Sequence, residues 1–99
     1  MTPTPDVAWA VWLGIWQDVG AAMPPRPFDA ELVELGYDTA PIPVACFAGS
    51  VEQLGLDPMV EFWGWPLYFR TADEAQVFAE LWSHPVEGIT EGTMSCDWG

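Results

Sequence analysis

The sequence predicts an α+β domain in which a small, mainly antiparallel sheet packs with a Trp-rich N-terminal helix and a second, capped helix. Three observations carry this expectation. An apolar run from Val7 to Trp16 follows a helix-start signal at Thr4-Pro5-Asp6. Aromatic and β-branched residues concentrate between Met59 and Arg70, and a capping box at Thr71-Ala72-Asp73-Glu74 opens a segment of helical apolar spacing. The 99 residues, 51% of them hydrophobic, suit one compact domain over residues 1–99.

Taken in order, Thr4 is an N-cap candidate, Pro5 suits the first helical position, and Asp6 lies near the positive end of the helix dipole. The predicted helix runs from Pro5 to Val19 and stops at Gly20. Trp9, Trp12, Leu13, Trp16 and Val19 fall on one side, widened by Val7, Val11 and Ile15, so this helix must be covered by the core or by a second subunit. Met23-Pro24-Pro25-Arg26-Pro27 reads as an ordered connector, because proline removes donors and restricts the residue before it.

Asp29 is expected to cap a short helix, Ala30 to Leu35, that ends at Gly36. Pro41 and Pro43 place the following strand, Val44 to Ala48, near a sheet edge. Val51 to Leu56 fits either a helical turn or a loop, and Asp57 before Pro58 is a turn residue. Two strands are expected at Met59–Trp63 and Trp65–Arg70, with Gly64 as a turn or bulge between them. Thr71 and Glu74 then form the capping box of a helix whose inner face is Ala75, Phe78, Ala79 and Trp82, joined by Leu81, and which ends at His84-Pro85. A final strand lies within Val86 to Gly99.

The charge balance constrains function more than any motif. There is no Lys, and two Arg (Arg26 and Arg70) stand against fifteen Asp plus Glu, for a formal charge of -13. Such a field repels nucleic acid and anionic lipid and steers cationic surfaces toward the chain. Direct nucleic-acid binding and membrane association are therefore not expected. The apolar N-terminal stretch is shorter than the roughly 20 residues of a membrane span and lacks a basic flank, so a soluble, cytoplasmic protein is expected. For Cys46 and Cys96, buried free thiols are the ordinary expectation inside a cell. On neighbouring strands the two could instead form a bridge.

Enzymatic readings find little footing. His84 is the lone histidine and precedes a proline at a helix end, where a dipole contact or plain exposure accounts for it. No glycine-rich phosphate loop follows a strand, no Cys/His metal set exists, and acids do not alternate around a glycine as in a calcium loop. Asp73 and Glu74 are adjacent, so their side chains diverge on a helix, and Glu74 already serves the cap. No catalytic residue, cofactor or metal is expected.

Two constellations remain. The first is acidic: Glu31, Glu34 and Asp38 together with Asp73 and Glu80, which are simple solubilising charges unless they share a face. A domain spanning about 30 Å matches a length of duplex DNA bearing about 18 phosphates, the same order as the net charge. In charge, size and lack of an enzyme motif the chain resembles the small acidic proteins with which phages and other mobile genetic elements block host defences, such as anti-CRISPR and anti-restriction DNA mimics. These share no common fold, so the resemblance implies a partner type, a basic nucleic-acid-binding protein, and carries over no residues.

The second constellation is aromatic. Trp12, Trp16, Trp63 and Trp65 most simply build the core. With Glu61 at the rim they would instead line a pocket for a cationic or amphipathic small molecule, and an apolar first helix would also suit a homodimer. The leading expectation is a non-enzymatic acidic inhibitor that occupies the nucleic-acid-binding surface of its partner. The alternatives are the Trp-lined binding module, homodimeric assembly, and a halophilic origin in which the charge serves solvation alone.

Overall fold

A computed structural model describes residues 8–17 and 28–94. The expected start signal at Thr4-Pro5-Asp6, the stop at Gly20, the connector Met23–Pro27 and Cys96 lie outside the described residues. Within them the chain forms strand β1 (Ala8–Gln17), helix α1 (Asp29–Leu35), strand β2 (Ile42–Pro43), a 3-10 turn (Val44–Cys46), helix α2 (Ser50–Gln53), strand β3 (Phe62–Phe69), helix α3 (Ala72–Leu81) and strand β4 (Gly88–Gly92). The four strands make one antiparallel sheet in the order β2-β3-β1-β4. The expected α+β class with an antiparallel sheet is thus observed.

The largest correction concerns the Trp-rich segment. Residues 8–17 are not a helix but the inner strand β1, paired with β3 on one side and β4 on the other. Val, Ile and Trp fit a pleated surface packed on both faces, and such a strand has no polar face to reveal its period. Val11 and Leu13 pack into one core with Trp9 and Trp16 against it, whereas Ala10 and Trp12 enter the other with Ala8 and Ile15. The alternation slips by one residue because the register against β3 shifts between Trp12 and Gly14, leaving Leu13 as an extra residue.

β3 is likewise one continuous strand where two were expected, and Gly64 lies inside it. The bulge sits on the neighbouring strand. Gly64 and Gly14 instead make room for rings from across the sheet: Trp12 lies over Gly64 on one face and Trp65 over Gly14 on the other. The predicted edge strand Val44–Ala48 is displaced. The edge pairing is Ile42–Pro43, and Val44–Cys46 turns away as a 3-10 segment.

Each face of the sheet is covered. On one, α1 and α3 bring Phe28, Leu32, Ala75, Phe78 and Trp82 onto Val11, Leu13, Trp65 and Leu67. On the other, Val44, Cys46 and Phe47, with Val51 and Leu54 beside them, pack on Ala10 and Trp12. This second core holds a fully buried polar chain: Trp12 Nε1 donates to Thr90 Oγ1 at 2.9 Å, and the hydroxyls of Thr90 and Ser50 lie 2.8 Å apart. The outer edge of β4 is closed by Gln53, whose carboxamide donates to the Glu91 carbonyl at 2.8 Å and accepts from the Glu91 amide at 2.9 Å. A side chain thereby occupies groups that a further strand would otherwise use.

Cys46 is disulfide-bonded. The expectation of a free thiol is therefore corrected at this position. Among the described residues no helix is long and apolar enough to cross a membrane.

Candidate functional site

α1 and α3 owe their ends to local chemistry. α1 stops at Gly36, whose φ of 82° is a left-handed conformation suited to glycine. Its N-cap is Phe28 without a side-chain cap, so Asp29 sits in the first turn and not at the capping position expected of it. α3 starts as the sequence indicates, with the Glu74 amide donating to Thr71 Oγ1 at 3.1 Å. The Glu74 carboxylate, expected to bond the Thr71 amide, lies 3.4 Å from the Thr71 hydroxyl.

The two helices run antiparallel on one face of the sheet. Glu31 in the first turn of α1 reaches past the end of α3, accepting from the Ser83 amide at 3.3 Å and from the Ser83 hydroxyl, and pairing with His84 Nε2 at 3.3 Å. At the opposite end Tyr37, just beyond α1, meets the rings of Phe69 and Phe78 edge-on, with centroids 6.0 and 5.2 Å away. α3 ends at Leu81, earlier than His84-Pro85, and His84 packs against the rings of Phe28 and Trp82.

Between the helices lies an open groove of about 480 Å³ lined by Leu35, Tyr37, Phe69, Asp73, Glu74, Val77, Phe78 and Leu81. Its banks are unusual for a chain with so much apolar surface already buried: Leu35 is 48% exposed, Val77 55% and Leu81 75%. Leu81 was expected in the core and is corrected to this outer position. The inner face of α3 comprises Ala75 and Phe78, continued by Trp82.

The predicted acidic residues are dispersed in a definite way. Asp73 lines the groove. Glu80 lies seven residues on, two turns along the same side of α3, and is exposed. Glu34 is exposed on α1, one turn beyond Glu31. Glu31 is held by Ser83 and His84 and acts as a clasp between the helices. Asp38 belongs to a neighbouring depression of about 240 Å³ with Tyr68 and Met94. Of the predicted acids only Asp73 lines the groove, Glu80 and Glu34 are exposed on α3 and α1 without lining it, and Asp38 lies in the other depression.

The Trp-lined pocket is not assembled as a single cavity. Trp16 and Trp65 meet at a tilt of 46° with centroids 4.4 Å apart on the α1/α3 side of the sheet, whereas Trp12 is fully buried on the other. Trp63 Nε1 donates to Glu61 Oε1 at 3.2 Å, at the exposed margin. The helix on which the homodimer expectation rested is a strand covered on both faces.

Leu35, Tyr37 and Val77 were not singled out by the sequence as site residues. The available signal was Val77 and Leu81, four residues apart and offset from the Ala75–Phe78–Trp82 face. Among the described residues no cluster of three or more His, Cys, Asp or Glu is placed to hold a metal ion. The chain matches no protein family, no curated protein and no solved structure.

Proposed function

We propose that this chain is a small, non-enzymatic acidic binding protein that occupies the basic nucleic-acid-binding surface of a partner and excludes DNA or RNA by competition. The observation that carries the reading is the α1/α3 surface: Asp73 and Glu74 line one groove with exposed Leu35, Val77 and Leu81, and α1 and α3 also carry exposed Glu34 and Glu80, in a chain without a single Lys. Acids steer a cationic surface in, and apolar side chains, desolvated on contact, slow its departure. Scale agrees with the reading. The longest dimension is 35 Å, and duplex DNA of that length carries about 20 phosphates, against a net charge of -13 here.

The test is affinity capture from a nucleic-acid-rich lysate, using wild type and the double variant Asp73→Lys, Glu80→Lys as baits. Both substitutions are at exposed positions, so the fold should persist, which circular dichroism checks. The expected result is capture of an identified basic nucleic-acid-binding protein by wild type only, released by added salt and by competing DNA or RNA. Capture indifferent to salt, competitor and charge reversal would refute the proposal.

A further inference from the structure

We propose that the α1/α3 groove receives the apolar face of a short amphipathic helix, about three turns long and flanked by Lys or Arg, presented by the partner. This rests on the reading of the acidic surface as a docking site for a basic protein, and it specifies what enters.

Shape decides first. Five of the eight residues lining the groove belong to α3, facing Leu35 of α1, so it offers chiefly the side chains of helices, and a ligand seated there gains more from apolar contact than from main-chain hydrogen bonds. A helix satisfies its own backbone and needs only an apolar stripe. The ten residues of α3 extend about 15 Å at ~1.5 Å each, and anchors at i, i+3 and i+7 span about 10.5 Å. A helical cylinder 15 Å long and ~10–12 Å across occupies about 1,200–1,700 Å³, well above the 480 Å³ present. Only one face of such a helix can therefore enter, which is the geometry of an amphipathic ligand.

Charge decides next. Asp73 and Glu74 of the first turn of α3 line the groove, and Glu80 and Glu34 are exposed on the same two helices. A ligand helix with cations beside its apolar stripe would set them against these carboxylates. A second copy of this chain would bring its own carboxylates to the same place, with no Lys anywhere to offset them. Self-docking is thus opposed by the charge that favours a basic partner.

The experiment measures fluorescence anisotropy of a labelled synthetic peptide of about four turns, with Leu at i, i+3, i+4 and i+7 and Lys at the flanking positions. Two comparison peptides are used: one of the same composition with the Leu residues out of helical register, and an oligolysine. The protein is tested as wild type, Val77→Asp, Leu81→Asp and, away from the groove, Met59→Asp, all at exposed positions. Folding is verified by far-UV circular dichroism and mass by light scattering.

The expected result is preferential binding of the patterned peptide with a gain of helical signal. Val77→Asp and Leu81→Asp should each weaken it by on the order of tenfold, an effect of about 1.4 kcal/mol, and Met59→Asp should not. Equal binding of all cationic peptides, unaffected by the groove variants, overturns the helix proposal and leaves the acidic docking reading standing. No binding of any cationic peptide at low salt overturns both. Dimerisation of wild type that Leu81→Asp abolishes overturns the proposal in favour of a second copy.

Discussion

Substituting Gly64 by Ala should destabilise the protein, contrary to what strand propensity alone implies. A Cβ on Gly64 would lie 2.7 Å from Trp12 Cε3, 3.0 Å from its Cζ3 and 2.8 Å from the Gly14 carbonyl oxygen. Carbon atoms pack at about 3.5–4.0 Å, so the new methyl overlaps the ring by about 1 Å. Neither neighbour can readily yield. The ring has no exposed surface and its Nε1 is tied to Thr90 Oγ1, while the carbonyl belongs to β1, which is paired on both sides.

Overpacking of this kind costs about 1–3 kcal/mol, and the reduced freedom of the unfolded chain returns about 0.4–1 kcal/mol. The net loss should be about 1–2 kcal/mol, equivalent to a fall in Tm on the order of 10 °C for a domain of this size. Urea unfolding followed by Trp fluorescence, supported by a thermal melt, measures it. The cause is isolated by repeating the substitution with Trp12→Leu already in place, which removes the ring and should relieve much of the penalty. A neutral or stabilising Gly64→Ala, or an undiminished cost beside Leu at position 12, would refute the reasoning.

Thr90→Val should cost about 2–4 kcal/mol in chemical denaturation, because it leaves the buried Trp12 N–H and Ser50 hydroxyl without their shared partner at ~1–3 kcal/mol each; Thr90→Ser should retain most of the stability. Burial pushes the Tyr68 phenol up from 10.0 to about 12. The folded state therefore holds that proton after the unfolded chain has released it: the contribution is intact below pH 10 and is lost as pH rises toward 12. Tyr68→Phe should flatten the decline over that window in urea titrations. The disulfide at Cys46 predicts no reaction of that residue with a thiol reagent in the unfolded, unreduced protein, read by peptide mapping; labelling at Cys46 would contradict the structure.

The legible parts of the sequence were those where local chemistry acts alone. Thr71 and Glu74 announce the start of α3 through hydrogen bonds made within four residues, and Gly36 announces the end of α1. The segment 8–17 misled for a physical reason: both faces of β1 are buried, and the extra residue at Leu13 shifts its alternation midway, so Trp9, Trp12 and Trp16 fall at helical spacing although Trp12 faces away from the other two. Gly64 looked like a break because the ring it accommodates comes from another strand. The acidic character of the site could be read from composition alone. Its location could not, because the groove depends on α1 and α3 lying side by side, an arrangement set by the sheet beneath them and by the long-range clasp from Glu31 to Ser83 and His84.

The same sheet explains why this groove is the place we propose for a partner. With α1 and α3 on one face and the Val44–Gln53 region on the other, Val11, Trp12, Trp65 and Leu67 need no further cover. The apolar side chains left outside on α3 and at the end of α1 are therefore surplus to the core. An isolated exposed Leu is ordinary, but Leu35, Val77 and Leu81 share one groove, and Asp73 and Glu74 line it with them. Acids there weaken self-association as well as favouring cations, and salt separates the two effects. Screening over a Debye length of about 10 Å at 0.1 M should loosen a complex with a basic partner while easing approach of a second copy. A chain whose acids serve solvation alone should bind no basic partner at any ionic strength. Association with one basic partner that falls as salt rises and is lost in the Asp73→Lys, Glu80→Lys variant identifies these acids as recognition groups, whereas self-association that grows with salt and is lost in Leu81→Asp assigns the groove to self-assembly.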